Sequence, residues 1–81
     1  MPNLPTLEND TGGTWTVEHE ESERLTHIGG FLMSYRTFGS ITLATQLSLD
    51  EKTRGTRILL ERLATIPLGR SSSYLWHPDD E

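Results

Sequence analysis

The sequence predicts a small α+β domain of two layers, in which an antiparallel β-meander of three to four strands is followed by one amphipathic helix over about residues 49–66. Three observations lead to this prediction. A capping motif begins a segment with helical periodicity, Pro67 ends that segment, and apolar and polar residues alternate in the preceding stretches as they do in strands. Because a sheet with one apolar face needs a cover, we expect the helix to pack on it.

The chain divides into three predicted regions. Residues 1–13 are expected to form a flexible N-terminal arm, because two prolines and an Asn-Asp-Thr-Gly-Gly run interrupt regular structure. Residues 14–68 are expected to form the single α+β domain. Residues 69–81 contain three consecutive serines and an acidic end. They predict either a hinge with a tail that docks on another molecule through residues 73–76, or an edge strand of the sheet.

The first predicted strand covers residues 14–20 and is rich in aromatic and β-branched residues. Three of its side chains alternate onto one face: Trp15, Val17 and His19. A turn around Glu23 and a short return strand over residues 24–28 complete a predicted acidic hairpin. The sequence leaves the register of this hairpin open.

The next strand is predicted over residues 31–36. Three large side chains alternate onto one face: Phe31, Met33 and Tyr35. Leu32 lies on the opposite face, and with Ile28 it indicates that this side of the sheet is covered too, which favours a homodimer. A four-residue connection leads to the strongest strand pattern, over residues 41–47, which runs directly into the helix.

Ser48 and Glu51 fit a capping box, in which each side chain accepts a hydrogen bond from the other residue's backbone N–H. At 100° per residue the helix has one apolar face, formed by Leu59, Leu60, Leu63 and Ile66. The opposite face carries two i,i+4 pairs of opposite charge, Asp50–Arg54 and Arg57–Glu61.

Gly55 interrupts the first half of the helix, where it indicates either a close approach by another segment or a weak point.

Composition limits the classes of function. The chain of 81 residues has a net charge of −5 and no cysteine, so disulfides, thiolate catalysis and cysteine-bound zinc are excluded. The N-terminus resembles no signal peptide, and no apolar run is long enough to span a membrane, so a cytoplasmic location is expected. No nucleophile elbow or phosphate-binding glycine loop is present. We therefore expect neither enzymatic activity nor a cofactor.

These observations favour a small non-catalytic protein-binding module that acts as a regulator, inhibitor or accessory subunit. Its partner would be a protein with a basic surface. The residues predicted to bind it are four acids of the hairpin and two aromatic residues near the C-terminus: Glu18, Glu20, Glu21, Glu23, Tyr74 and Trp76. Tyrosine and tryptophan are enriched among the residues that dominate binding energy.

Two alternatives remain at this stage. The basic segment 51–70 is typical of a nucleic-acid-binding regulator, with phosphate contacts from Lys52, Arg54, Arg57 and Arg70. Asp50 and Glu61 on the same helix face and the acidity of the whole chain oppose this, so nucleic acid is not the expected partner. The second alternative is a metal-binding hairpin, because a turn centred on Glu23 would make His19 and His27 neighbours. A shift of one residue pairs His19 with Leu25 instead and removes that site.

Overall fold

The structure, a computed structural model, describes residues 5–25 and 27–80. Within these ranges the chain forms five strands, one α-helix and a final turn of 3-10 helix. In chain order they are β1 (Thr6–Glu8), β2 (Thr14–Ser22), β3 (Gly30–Arg36), β4 (Phe38–Ala44), α1 (Leu49–Thr65), β5 (Gly69–Trp76) and the 3-10 turn (Pro78–Asp80). The predicted α+β class is confirmed.

The topology of the sheet differs from the predicted antiparallel meander. The five described strands form one mixed sheet in the order β1-β2-β4-β3-β5, in which β2 and β4 run parallel. The chain leaves β2 for the far side of the sheet, forms β3, and returns through a tight connection to place β4 between them. Four consecutive residues of β4, from Ile41 to Ala44, are buried. β4 has a paired strand on each side, and the side chains of these neighbours shield it, which agrees with its position inside the sheet.

Two other predictions about the first half of the chain were wrong. The predicted arm contains β1, which pairs antiparallel with β2 through Thr6–Thr16 and Leu7–Trp15. The predicted acidic hairpin is not formed, because β2 pairs with β4 along Thr16–Ser22 instead of with residues 24–28. Among the described residues of that segment, none lies in a strand.

The helix begins where the sequence predicted. Ser48 is its N-cap, and both hydrogen bonds of the capping box are present: the Glu51 N–H donates to Ser48 Oγ (3.1 Å), and the Ser48 N–H donates to Glu51 Oε1 (3.0 Å). At the other end Ile66 has extended backbone, as expected before Pro67. Both predicted i,i+4 ion pairs of the helix are formed as well.

The capping box has a measurable pH dependence. The hydrogen bond from the Ser48 backbone N–H, followed by that from its hydroxyl, lowers the pKa of Glu51 below its ordinary value of 4.5. A lowered pKa in the folded protein means that Glu51 stabilises the fold above about pH 4.5, and that this contribution is lost as the pH falls through the folded pKa. In Ser48→Ala we expect the pKa of Glu51 to rise towards its ordinary value, measured by NMR titration of its side-chain carboxyl carbon. A pKa unchanged by this substitution would contradict the role of the hydroxyl.

The helix packs on one face of the sheet, and the side chains between them form the core. The fully buried members are Trp15, Leu32, Ile41, Leu43, Leu59, Leu63 and Trp76. The alternation predicted for β2 is therefore confirmed for Trp15. The assignment for β3 is reversed: Leu32 faces the helix, and the face that carries Phe31 is turned away from it. Leu32 therefore gives no support to a homodimer.

The last strand answers the open question about residues 73–76. β5 is an edge strand that pairs antiparallel with β3, so the three serines lie in a strand rather than in a hinge. Trp76 at its end is 2% exposed and packs against Gly55 of the helix. A side-chain carbon on Gly55 would lie 2.5 Å from Cζ3 of this ring. The glycine therefore permits a close approach between helix and indole.

Candidate protein-binding surface

The register of the strands divides their side chains between two faces. Directly paired residues in a sheet point to the same side, and successive residues alternate. Leu32, Ile41 and Tyr74 are paired with one another on the face that the helix covers. Their neighbours in the chain therefore point to the other side. We call this second side the open face.

Three rows of paired residues cross the open face. The first consists of Leu75, Phe31, Thr42 and Glu20; the second of Ser73, Met33, Ser40 and Glu18; the third of Tyr35, Phe38, Thr16 and Thr6. In all three rows the β3 residue is apolar or aromatic and the β2 residue is polar, and Leu75 on β5 and Phe38 on β4 extend the apolar side. The open face thus has an apolar half and an acidic half.

The apolar half is a continuous group of five side chains, which we call the apolar patch: Phe31, Met33, Tyr35, Phe38 and Leu75. Four of them are about half exposed, namely Met33 (54%), Tyr35 (59%), Phe38 (48%) and Leu75 (57%). Single exposed apolar residues are common on proteins, whereas a contiguous group is typical of an interaction site. The strands that carry the patch are β3, β4 and β5, and all three lie within the described residues.

Tyr35 is held in place within the patch by its neighbour in the chain. Arg36 has a positive φ of 55°, and its Nε donates a hydrogen bond of 3.2 Å to the hydroxyl of Tyr35. The guanidinium also lies 5.3 Å from the centre of the Tyr35 ring. A side chain restrained before binding loses less conformational entropy when a partner covers it.

The predicted acidic residues are separated by the fold. Glu18 and Glu20 are exposed on the open face beside the apolar patch. Glu21 lies on the helix side, where its Oε1 forms an ion pair of 3.0 Å with Nζ of Lys52. Glu23 is exposed in the turn after β2. Only the first two acids therefore share a surface with the apolar patch.

The two predicted aromatic anchors differ in accessibility. Trp76 is part of the core, and Tyr74 is half-buried beneath Arg62, whose guanidinium carbon lies 4.0 Å from the centre of its ring. The exposed residue of this segment is Leu75, which the strand alternation turns to the opposite side. Trp76 therefore does not form an exposed anchor, because the segment is a strand of the sheet that turns this side chain into the core. A binding role for Tyr74 stays a prediction.

The basic residues of the nucleic-acid alternative are largely neutralised. Lys52 pairs with Glu21, Arg54 Nε lies 3.3 Å from an oxygen of Asp50, and an Arg57 nitrogen lies 3.6 Å from an oxygen of Glu61. Arg70 lies in β5, away from these three. The four cations do not form one surface on which a phosphate backbone would be held.

The metal alternative lacks the geometry on which it depends. His19 pairs with Ile41 of β4, and His27 follows the turn in a segment without strand structure. Within residues 5–25 and 27–80, no group of three or more histidine, aspartate or glutamate side chains is placed to bind a metal ion. The described chain also contains no helix long and apolar enough to cross a membrane.

A groove of about 700 Å³ lies between α1 and the outer edge of β2. Its apolar lining includes Leu7, Leu49 and Leu60, and Lys52 with Glu21 forms part of its rim. The groove lies where the chain enters β1, and residues 1–4, which precede that strand, are outside the described ranges. The five strands that form the open face are all within the described residues.

The sequence contained one signal for the apolar patch, the alternation of Phe31, Met33 and Tyr35. That signal identifies a shared face but does not tell which face the helix covers. Comparison with protein-family models, curated proteins and solved structures finds no match to this chain. The inference of function therefore depends on the geometry of the open face.

Proposed function

We propose that this protein is a small non-catalytic protein-binding module, which acts as a regulator, inhibitor or accessory subunit by covering a surface of another protein with its open face. The observation that carries the proposal is the apolar patch, in which four large side chains are about half exposed side by side. Interface cores are rich in tyrosine, phenylalanine and methionine, and the patch contains all three.

The acidic half of the open face determines the chemistry of the partner. Glu18 and Glu20 flank the patch on β2, and both are exposed. The complementary surface has an apolar centre with lysine or arginine on one side of it. Charges at the rim of an interface mainly raise the association rate and the specificity, while the buried centre supplies most of the affinity.

A second copy of this chain fits the open face less well. Two copies stacked face to face about a twofold axis place Glu18 and Glu20 against either the same two carboxylates or the apolar patch. Like charges brought together at an interface are unfavourable, and a carboxylate buried on an apolar surface is too. This argument favours a different protein with a basic rim over a homodimer.

The experiment compares matched variants as bait. Wild-type protein, the double variant Tyr35→Ala/Phe38→Ala and the control Leu49→Ala are used to isolate partners from cells that produce the protein. Leu49 is a suitable control because it is an exposed apolar residue on the helix side of the molecule. The partner is the protein retained by wild type and control but not by the double variant. Its affinity for the double variant is expected to fall by about 2 kcal/mol or more, measured by calorimetry.

Two outcomes of this experiment would refute the proposal. A partner that binds the double variant normally but loses affinity for Leu49→Ala would place the interface at the groove instead. A partner whose affinity and association rate are unchanged by Glu18→Lys/Glu20→Lys would show that the acidic half does not contribute. Circular dichroism of each variant verifies that it is folded.

A further inference from the structure

A second, smaller cavity lies on another part of the surface, where the last turn of α1 meets the start of β5. Its volume is about 250 Å³. The polar residues that line it are two arginines, three hydroxyl-bearing residues and a tyrosine: Arg62, Arg70, Thr65, Ser72, Ser73 and Tyr74. No acidic side chain lines the cavity, although the protein as a whole is acidic.

The two arginines differ from the other cations of this region. Lys52, Arg54 and Arg57 are each ion-paired with a carboxylate. Within residues 5–25 and 27–80, Arg62 and Arg70 form no ion pair. The contact that orients Arg62 is with the face of the Tyr74 ring, which leaves the edge of its guanidinium available for hydrogen bonds.

A hydroxyl group supplements the two charges. In the described ranges, Ser72 makes no side-chain hydrogen bond, and strand alternation places it on the same side as Tyr74, so its hydroxyl is available as a donor. Thr65 is already used, because its hydroxyl donates to the carbonyl of Arg62 (2.8 Å). A tetrahedral anion with several oxygens matches this set of planar guanidinium groups and a hydroxyl donor.

The C-terminal end of α1 opposes anion binding, but its partial charge is smaller than the charge of the two arginines. A helix C-terminus carries the equivalent of roughly half a negative charge. In α1 this charge is partly offset by N–H groups of the segment between β1 and β2, which donate to the last carbonyls. Two guanidinium groups contribute two full positive charges at the same cavity. The exposed acids of β2 lie across the sheet, and charges separated by more than about 10 Å are largely screened at ordinary ionic strength.

From this arrangement we propose that the cavity binds a phosphate monoester in its dianionic form, through Arg62, Arg70 and the hydroxyl of Ser72. Two negative charges match two otherwise unpaired guanidinium groups. A phosphodiester has one charge fewer and an additional substituent in place of an accepting oxygen. The site therefore distinguishes a terminal phosphate from the backbone of a nucleic acid.

The test uses methyl phosphate and dimethyl phosphate as probes of the monoester and the diester. Each is titrated into the full chain while the backbone amides of Ser72 and Ser73 are followed by NMR. We expect saturable shifts with methyl phosphate at pH 7.5 and affinity at least about tenfold weaker in Arg70→Gln. Affinity is also expected to fall as the pH drops below the second pKa of the phosphate, which is about 6.

Arg57→Gln is the matched control, because it removes an arginine of the same helix that is ion-paired outside the cavity. Its affinity for methyl phosphate should stay within about twofold of wild type, which is the usual scale for an uninvolved surface charge. Arg62→Gln should weaken binding as Arg70→Gln does. Arg70→Gln leaves the stacked pair of Arg62 and Tyr74 unchanged. A loss of binding in this variant is therefore not caused by the loss of that packing contact.

The proposal is overturned if methyl phosphate produces no saturable shifts, if Arg70→Gln and Arg57→Gln reduce affinity equally, or if dimethyl phosphate binds as tightly as methyl phosphate. The last result would show that the cavity recognises any phosphate oxygen. None of these outcomes depends on the open face, which carries different residues and requires a protein partner.

Discussion

Replacing Trp76 by alanine is expected to lower the free energy of unfolding by about 3–5 kcal/mol. The indole is buried between Gly29, the helix at Gly55 and the end of β5, so its removal leaves a large cavity. A domain of this size has a total stability of roughly 4–12 kcal/mol, at about 0.05–0.15 kcal/mol per residue. The variant should therefore be largely unfolded at 37 °C, as measured by urea or thermal denaturation.

The neighbouring residue supplies the control for this prediction. Leu75 is in the same strand and is 57% exposed on the open face. Its replacement by alanine should change stability by less than about 0.5 kcal/mol. Equal effects of Trp76→Ala and Leu75→Ala would mean that the C-terminal segment is not the strand described above. The comparison therefore tests directly whether this segment is an edge strand or a docking tail.

Trp76→Phe tests the polar part of the same side chain. The indole Nε1 is buried and makes no hydrogen bond to the described residues. Phenylalanine removes this unsatisfied donor while it keeps an aromatic ring between Gly29 and Gly55. A buried donor without a partner is unfavourable, so its loss should offset part of the lost packing. We expect Trp76→Phe to be distinctly more stable than Trp76→Ala.

The parts of the fold that follow from local rules were predictable from the sequence. The helix start depends on Ser48 and Glu51, which are three residues apart, and its end depends on Pro67. The ion pairs of the helix join residues four apart. Such interactions are visible in a short window, since the geometry of a helix brings those residues together whatever the rest of the chain does.

The arrangement of the sheet could not be predicted in the same way. Pairing of β2 with β4 joins residues more than 20 positions apart, and no short pattern distinguishes it from a hairpin with residues 24–28. Alternation in β3 identified two faces but not which of them the helix covers, because both Leu32 and Phe31 are apolar. Because of this ambiguity, the sequence did not show that Phe31, Met33 and Tyr35 lie on the uncovered face of the sheet.

Gly55 shows how a local rule and the tertiary structure oppose each other. Helix propensity alone makes a glycine in a helix interior unfavourable by about 1 kcal/mol relative to alanine. In this fold a methyl group at that position would overlap the buried indole of Trp76. The residue that looked like a weak point is the one that permits helix and last strand to meet, and this role depends on a residue 21 positions later.

Asn9 illustrates the same limit at the other end of the chain. It lies in the segment predicted as a flexible arm, yet it is buried between β1 and β2. Its Nδ2 donates to the carbonyls of Ala64 (2.9 Å) and Ile66, and its Oδ1 accepts from the N–H (3.0 Å) and the hydroxyl of Thr11. The last carbonyls of a helix have no partner within the helix, so Asn9 supplies a donor to the Ile66 carbonyl and a second donor to the Ala64 carbonyl, which also accepts from the Asp10 N–H.

Asn9→Asp is expected to lower the free energy of unfolding by about 3–5 kcal/mol at neutral pH, because it replaces the donating amide with a charged oxygen that faces two carbonyl oxygens. Burial and these carbonyls favour the protonated form, so the pKa of this carboxyl in the folded variant should be raised above its unfolded value. A raised pKa means that the loss is greatest above the folded pKa and diminishes as the pH falls through it. Denaturation of wild type and variant at a series of pH values measures this difference.

The adjacent Asp10 provides the matched control, since Asp10→Asn makes the reverse isosteric change one residue away. Asp10 is exposed, and its contact with the helix is made by its backbone N–H, which donates to the carbonyl of Ala64 (2.9 Å). Its substitution should therefore alter stability by less than about 0.5 kcal/mol. If Asn9→Asp proved equally mild, the hydrogen bonds of the Asn9 side chain would not be what stabilises the contact between this loop and the end of α1.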